Sequence, residues 1–314
     1  ILAGAEISFV ESLKAVGDSL REVSPTILLA VPLLLEKLYR RLEAGVREKR
    51  LARWLLAAGL YGPVRRAVRA RLGGRLRLMV SGGAPCDPAL LLGFARLGLP
   101  AIEGYGLTEA GPVVSLNPPE APRPGTVGRP LPGTEVRLLD ADAAGVGELA
   151  VRGPNVMAGY FNNPEATRAA ILDGGWLATG DLASVDADGY ITICGRRKAL
   201  IVNREGKNIY PEEVEQQIGR SPFVLESLVL AYRDPAEPTG ERVGAIIVPN
   251  LDAIVLHLGR KPAVPEVEQL VRDDLRRVLN EIAEYKHPRR IRIHFEELEK
   301  TSTAKIKRFL YQLD

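Results

Sequence analysis

The sequence contains very little cysteine and no long apolar run. Its two cysteines, Cys86 and Cys194, are far apart and form no C-x-x-C pattern, so neither a disulfide framework nor a zinc site is predicted. No apolar run approaches the roughly 18 residues that span a bilayer. The most apolar stretch begins at Ile27, is interrupted by Pro32 and ends at Glu36, which predicts a buried strand running into a helix. We therefore expect a cytoplasmic protein in a reducing compartment.

Signatures of several other classes of protein are also missing. The sequence has no G-x-S-x-G elbow, and its three histidines, at positions 257, 287 and 294, lie late in the chain without metal-ligand spacing. Hydrolase and metalloenzyme interpretations are therefore unsupported. No signal sequence is visible. The chain starts at Ile1 and lacks an initiator Met, so we expect it to be a piece of a longer protein.

Charge is balanced over the whole sequence but not locally. The formal net charge of +3 is too small to indicate a nucleic-acid partner, and no interleaved aromatic residues suggest base stacking. Between Arg40 and Arg77, however, twelve Lys or Arg residues accompany only two Glu. Three interpretations of this basic segment are open: the solvated faces of packed helices, contact with the anionic inner face of a membrane, or a phosphate-bearing ligand.

The order of sequence patterns predicts an α/β protein in more than one part. Apolar residues at helical spacing run from Glu11 to Leu72. The stretches "LRLMVSGGAP", "PALLLGFARLG" and a run ending at "GYG" then predict the strand, helix and strand of a parallel sheet. Short alternating runs beyond Pro112 predict antiparallel strands. A helix from about Val267 to Ala283 and further strands complete the pattern.

The length of 314 residues predicts two folding units. Residues 1–195 are expected to be the carboxyl-terminal part of a large α/β domain, with an α/β part at about 1–112 and a β-rich part at about 113–195. Residues 196–314 are expected to form a small, mobile α+β domain. The oligomeric state is not predicted.

The stretch "AIEGYGLTEAGP" combines backbone freedom with polar side chains. Glycines on both sides of Tyr105 let the backbone turn sharply and let a flat ligand approach the ring. Thr108 offers a hydroxyl that can donate to a phosphate oxygen, and Glu109 offers a carboxylate that can hold Mg²⁺ together with phosphate oxygens. An ordinary turn is the alternative when this stretch is taken alone.

Four short motifs in a fixed order carry a resemblance to a known family. They are "SGGAP" at 81–85, "GYGLTE" at 104–109, "TGD" at 179–181 and "GRRK" at 195–198. The series resembles the adenylate-forming superfamily of acyl-CoA synthetases, peptide-synthetase adenylation domains and luciferases. Further similar stretches are "GELAVRGPNVMAGYFNNPEAT", "GKNIYPEEVE" and "TSTAKIKR", so the resemblance covers nearly the whole chain.

The resemblance implies a nucleotide site. Tyr105 would lie against adenine, with the "SGGAP" turn on the other side of the base. Thr108 would bond a phosphate, Glu109 would ligate Mg²⁺, Asp181 would accept both ribose hydroxyls, and Arg196 would reach the ribose or a phosphate. The residues that match the nucleotide-binding motifs are Gly82, Gly83, Ala84, Pro85, Gly104, Tyr105, Gly106, Thr108, Asp181 and Arg196.

Three further residues match positions that act in catalysis or domain movement. Lys305 would be the catalytic lysine that reaches the substrate carboxylate and the α-phosphate, with a solvated tail lysine as the alternative. Lys198 matches the hinge about which the small domain rotates, and is otherwise a linker lysine. Gly206 matches a glycine beside the pantetheine channel of CoA, and is otherwise a turn glycine.

The function implied by the resemblance is ATP-dependent activation of a fatty acid to acyl-AMP, followed by transfer to CoA, with Thr108, Glu109 and Lys305 catalytic. The opening segment resembles long-chain fatty acyl-CoA synthetases, although Leu33 stands where that subgroup frequently has Arg. Medium-chain or aryl acids are the alternative substrates. The family's upstream phosphate loop has no counterpart in this sequence, so impaired turnover, or a non-catalytic remnant that binds adenylates, is also expected.

Overall fold

The structure is a computed structural model that describes residues 4–10, 12, 15–234, 237–301 and 305–313. The chain divides into two compact units, each with its own core. Unit 1 comprises Ile1–Thr179 and Ala183–Ile193, and unit 2 comprises Gly180–Leu182 and Cys194–Asp314. None of the described helices combines the length and apolar composition that a bilayer-spanning helix needs.

Half of the six described helices of unit 1 begin at a residue that favours the first helical turn. Three of them start at a proline, whose fixed φ suits the first helical position and whose missing amide proton costs nothing there. Before the helix that begins at Pro88, Asp87 Oδ1 accepts a hydrogen bond of 2.8 Å from the Ala89 amide. The described helices are α1 (Val16–Val23), α2 (Pro32–Arg47), α3 (Arg50–Ala57), α4 (Tyr61–Arg71), α5 (Pro88–Arg96) and α6 (Pro164–Ala170).

A five-stranded sheet lies in the first part of unit 1. Its strands are β1 (Ile27–Ala30), β2 (Leu78–Ser81), β3 (Ala101–Gly106), β4 (Val113–Leu116) and β5 (Arg129–Pro130), in spatial order β1-β2-β3-β4-β5. The β1–β2 and β2–β3 pairs are parallel, and the β3–β4 and β4–β5 pairs are antiparallel. Helix α5 connects β2 to β3, so the predicted strand, helix and strand are confirmed.

The strand at Ile27 was expected to be buried, and that expectation is wrong. Leu28 packs into the helical core with Leu35, Met79 and Phe94, but Ile27 and Leu29 are exposed. The reason is that β1 is an edge strand whose side chains alternate between two faces, and only one of those faces packs on the helices.

A second sheet forms the β-rich part. Its strands are β6 (Glu135–Leu139), β7 (Gly147–Arg152), β8 (Ile171–Leu172), β9 (Trp176–Val185) and β10 (Ile191–Arg196), in the order β10-β9-β7-β6, with β8 pairing β9. The β6–β7 and β8–β9 pairs are antiparallel, as the alternating pattern predicts. Leu149 and Val151 of β7 pack with Ala110 and Val114, so this core reaches the turn that follows β3.

Unit 2 is an α+β arrangement. Its helices are α7 (Pro211–Ile218), α8 (Leu251–Leu258) and α9 (Val264–Leu279), and its strands are β11 (Ile201–Val202), β12 (Asn208–Ile209), β13 (Val224–Asp234), β14 (Glu237–Pro249) and β15 (Arg290–Ile293). The long β13–β14 pair is antiparallel, and β15 lies parallel to β14. Helix α9 ends at Leu279 rather than near Ala283, because the chain turns there with a hydrogen bond of 3.1 Å from the Ile282 amide to Leu279 O.

Candidate functional site

Two predicted site loops lie side by side at the carboxyl ends of β2 and β3. Ser81 at the end of β2 is in register with Glu103 of β3, so the 82–85 turn and the Gly104–Gly106 stretch leave the same edge of the sheet. A Cβ on Gly82 would lie 3.8 Å from the Gly104 carbonyl oxygen. This edge of a parallel sheet is where α/β proteins bind ligands.

Backbone packing explains two of the glycines in these loops. Gly83 has a φ of +84°, in the left-handed region that favours glycine. A Cβ on Gly106 would overlap the Pro112 carbonyl oxygen, because β4 folds back against β3. Tyr105 lies opposite Ser115 in that pairing and is half-buried beside the second core. The pairing of β3 with β4 therefore places Tyr105 at the sheet edge.

Thr108 and Glu109 lie in a single turn of 3₁₀ helix, Thr108–Ala110, directly after β3. Thr108 is exposed and Glu109 is half-buried. The Tyr160 hydroxyl donates a hydrogen bond of 3.0 Å to Glu109 Oε1. Accepting that bond, Glu109 raises the pKa of the Tyr160 hydroxyl above its ordinary value, because the bond stabilises the protonated phenol. The carboxylate that the sequence predicts for Mg²⁺ is thus already held by another side chain.

The segment 153–160, which we call the clasp, contacts this turn. Sequence analysis named the stretch that contains it only as part of the family resemblance and predicted no contact with Glu109. Asn155 Nδ2 donates to Ala110 O at 3.1 Å and to Val113 O at 3.2 Å. The Met157 amide donates to Glu109 O at 2.8 Å. No local motif identifies these contacts, because the two segments are about 50 residues apart.

Glu103 is a second residue that sequence reasoning missed. Only 6% of it is exposed, and its Oε1 accepts a hydrogen bond of 3.1 Å from the Cys86 amide. Neither Glu103 Oε2 nor Ser81 Oγ has a hydrogen-bond partner among the described residues. Burial raises the pKa of Glu103 to about 7. The sequence feature that could have identified Glu103 is a carboxylate inside an otherwise apolar strand, because an unpaired buried charge is costly there.

Asp181 and Arg196, predicted to contact the ribose, are brought together within unit 2. Arg196 Nε lies 2.7 Å from Asp181 Oδ1, with the Asp181 side chain buried and that of Arg196 exposed. The positive charge of the Arg196 guanidinium partly offsets the desolvation cost of the buried Asp181 carboxylate.

The remaining predicted residues also belong to unit 2. Lys198 is exposed in a 3₁₀ turn, Arg197–Ala199. Gly206 has a φ of +73° with open space around its Cα, so its conformation, rather than crowding, accounts for glycine here. Lys305 is exposed, its amide donates to Thr301 Oγ1 at 3.2 Å, and its side chain makes no ion pair with the described residues. The chain between Thr301 and Lys305 lies outside the described residues.

The turn after β3 offers one carboxylate, that of Glu109, as a candidate ligand for a hard cation. Among the described residues, no group of three or more His, Cys, Asp or Glu comes together. Mg²⁺ commonly binds through one or two carboxylates together with substrate phosphates and water. Glu109 fits that mode, because one of its oxygens accepts from Tyr160 while the other, Oε2, has no hydrogen bond within the described chain.

Comparison with known proteins decides the family. A family model described as "AMP-binding enzyme" matches residues 1–161, and one described as "AMP-binding enzyme C-terminal domain" matches residues 213–305. The chain belongs to the AMP-binding enzyme family. The resemblance expected from the four motifs, and with it an α/β fold followed by a small C-terminal domain, is therefore confirmed.

Curated relatives of this AMP-binding protein include fatty-acid–CoA ligases. It is 34% identical over 272 residues to the long-chain-fatty-acid–CoA ligase FadD15 of Mycobacterium bovis, covering 79% of this chain and 43% of the relative. It is 44% identical over 182 residues to the long-chain-fatty-acid–CoA ligase of Yersinia pestis, covering 56% of this chain and 32% of the relative. The chain thus spans less than half the length of these relatives.

Solved structures of the family share the fold. o-Succinylbenzoate CoA synthetase (MenE) from Bacillus subtilis, in complex with its acyl-adenylate intermediate, aligns with a TM-score of 0.72 at 27% identity, covering 96% of this chain and 54% of that one. The same enzyme has been solved with ATP and a magnesium ion. These neighbours bind adenylates and magnesium; the residue roles assigned above stay predictions for this chain.

Proposed function

We propose that this chain provides the adenylate site of an ATP-dependent acid–thiol ligase that acts on long-chain fatty acids. The observation that carries the proposal is the juxtaposition of the 82–85 turn with the Tyr105–Glu109 stretch at the carboxyl edge of the parallel sheet. The long-chain-fatty-acid–CoA ligases among its relatives support the substrate class. Aryl acids are the alternative, which the similarity to o-succinylbenzoate CoA synthetase supports.

In the first proposed step, an oxygen of the fatty-acid carboxylate attacks the α-phosphorus of ATP. A bond from carboxylate oxygen to phosphorus forms, and the bond to the pyrophosphate oxygen breaks. Thr108 would donate to a phosphate oxygen, Glu109 would hold Mg²⁺, and Lys305 would stabilise the negative charge that builds up. Bound Mg²⁺ supplies charge neutralisation on the phosphates.

Tyr105 is the proposed contact for the adenine of ATP, and Asp181 is the proposed contact for its ribose. Tyr105 is paired with Ser115 across the sheet and half-buried, and its aromatic ring would be suited to stacking on adenine. Asp181 lies beside Arg196, and a carboxylate there could accept hydrogen bonds from ribose hydroxyls.

In the second proposed step, the CoA sulfur attacks the acyl carbon, the thiol proton leaves to solvent, and AMP departs. Lys198 would serve as the hinge that moves Lys305 away. Gly206 would lie beside the CoA channel, and no atom of the described residues outside its chain neighbours lies within 4 Å of its Cβ position, which is consistent with a passage there.

The basic segment is proposed to contact an anionic membrane surface from which a fatty acid can enter. Helix α3 exposes Leu51 and Trp54 beside the exposed Arg50 and Arg53. Neither arginine has an ion pair within the described chain. Exposed apolar side chains flanked by unpaired cations are the features of a helix that lies at a lipid interface.

Calorimetric titration with a non-hydrolysable acyl-adenylate analogue tests the proposed function. The parent chain should bind it, and Asp181→Ala should weaken binding at least about tenfold, because a hydrogen bond to a charged group contributes about 1.5–3 kcal/mol. Asp173→Ala is the matched control, since Asp173 is an exposed aspartate eight residues earlier. A folded parent chain that binds no analogue would contradict the adenylate site. Analogues with a long alkyl chain and with an aryl group, compared directly, separate the two substrate classes.

A further inference from the structure

Glu109 is held from a part of the chain that neither the nucleotide motifs nor the proposed mechanism uses. The clasp makes three hydrogen bonds to backbone carbonyls of the 108–113 turn, through Asn155 and the Met157 amide. It makes one more to a side chain, from the Tyr160 hydroxyl to Glu109 Oε1 at 3.0 Å. We propose that Tyr160 is a positioning residue that fixes the Glu109 carboxylate and leaves Oε2 as the ligand oxygen for a divalent cation. This inference rests on the proposed function.

Glu109 needs such a partner because its own backbone element is short. The 3₁₀ helix Thr108–Ala110 is a single turn, and a glutamate has three side-chain torsions whose ordering costs conformational entropy. A ligand carboxylate that must first be ordered binds a cation more weakly than one already in place. The hydrogen bond to Tyr160 meets this requirement before any cation arrives.

Tyr160 is itself well anchored. Its amide donates to Thr167 Oγ1 at 2.9 Å, and the Thr167 hydroxyl donates to Asn163 O at 2.8 Å at the start of α6. Gly159 allows this approach, since a Cβ there would lie 2.7 Å from Thr167 Cγ2. The phenol therefore extends from a backbone that α6 fixes, and it can in turn restrain Glu109.

The chemistry of a phenol suits a partner of a metal ligand. A neutral hydroxyl donates one hydrogen bond without cancelling the negative charge of Glu109, whereas a lysine or arginine would compete with the cation for that charge. A carboxylate has about four acceptor positions, so a bond at Oε1 leaves Oε2 available. Groups that orient a metal ligand in this way typically change metal affinity by about 10–100-fold.

The experiment uses Mn²⁺ as the probe, followed by electron paramagnetic resonance, in the 314-residue chain saturated with AMP. AMP affinity is measured separately in EDTA, where Glu109 has no cation to bind. Tyr160→Phe should weaken Mn²⁺ binding about tenfold and leave metal-free AMP affinity unchanged. Tyr61→Phe is the matched control, because Tyr61 is 41% exposed and Tyr160 is 39% exposed.

A double-variant cycle sharpens the test. If Tyr160 acts through Glu109, then Tyr160→Phe should have no further effect on Mn²⁺ binding in a Glu109→Gln background. Unchanged or tighter Mn²⁺ binding by Tyr160→Phe overturns the inference while leaving the proposed function intact. A parallel loss of AMP binding also overturns it, since Tyr160 would then support the fold rather than the carboxylate. Absence of Mn²⁺ binding in a parent chain that binds AMP refutes the Glu109 metal site and the role of Tyr160 together.

Discussion

Glu103 and Ser81 are register partners on adjacent parallel strands, and each buries a side-chain oxygen that has no hydrogen-bond partner among the described residues. They lie directly beneath the two loops of the candidate adenylate site. Burial is the largest cause of the raised pKa of Glu103, and backbone hydrogen bonds from Cys86 and Gly125 oppose it only in part. The sheet edge therefore contains a carboxyl group that changes charge near neutral pH.

The free energy of unfolding should depend on the protonation of Glu103 in a defined pH window. The pKa of Glu103 rises from 4.5 to about 7 on folding, so the folded chain binds the proton more tightly than the unfolded chain. This contribution is fully present below pH 4.5 and is lost as the pH rises through 7. At about 1.4 kcal/mol per pKa unit, the loss is about 3 kcal/mol. Glu103→Gln removes the titration and should gain stability relative to the parent between pH 5 and pH 8.

Urea unfolding of both proteins at the two pH values measures this difference. Glu120→Gln is the control, because Glu120 is an exposed glutamate of the same unit. A parent and a Glu103→Gln variant whose free energies of unfolding change equally with pH would show that Glu103 is not a buried titrating group.

Sequence patterns predicted those parts of the site that depend on neighbours along the chain. The strand–helix–strand from β2 to β3 follows from periodicity and from Pro88 at a helix start. The glycines around Tyr105 follow from the turn that the backbone makes there. The proximity of the 82–85 turn to Gly104 follows from the parallel pairing of their strands, because parallel strands end at the same edge.

Other features depend on contacts between distant segments, and no local pattern contains them. Glu109 and Tyr160 are 51 residues apart, and a tyrosine in "MAGYFNN" gives no indication of its hydrogen-bond acceptor. Composition predicted a buried strand at Ile27, but the apolar residues alone do not reveal that the strand lies at a sheet edge with one face exposed. The sequence therefore predicts which residues carry the chemistry of a loop, but it does not predict which distant residues contact them.

The proposed membrane contact predicts binding that depends on both charge and apolar insertion. The chain should bind vesicles containing anionic lipid at low ionic strength, and binding should fall as salt is added. Reversing Arg50 and Arg53 to Glu should lower the partition coefficient at least about tenfold, because each basic residue near an anionic surface contributes about 1 kcal/mol. Trp54→Ala should weaken binding without changing its salt dependence.

A control with the same change in net charge separates a local surface from a general electrostatic effect. Arg276 and Arg277 are exposed arginines of α9 in unit 2, and their reversal to Glu should leave vesicle binding much less affected. Equal losses in both double variants, or binding that ignores salt and lipid charge, would refute the assignment of the contact to α3. Co-sedimentation with vesicles of pure phosphatidylcholine and of mixed anionic composition gives the measurement.

The division of labour proposed for Lys305 predicts that its removal affects only one half-reaction. Lys305 is exposed, and its side chain makes no ion pair with the described residues, so replacing it should cost little stability. Lys305→Ala should lower the rate of ATP–pyrophosphate exchange about 100–1,000-fold, the range found when one group that stabilises transition-state charge is removed. Thioester formation from supplied acyl-AMP should continue, because the proposed second step takes place with Lys305 moved away.

Lys307→Ala is the matched control for Lys305→Ala: this lysine is two residues further on, and its Nζ lies 3.2 Å from Glu299 Oε2. Equal losses in both half-reactions for Lys305→Ala would show that Lys305 supports the site as a whole, and a similar loss in Lys307→Ala would show that the tail contributes only its general positive charge.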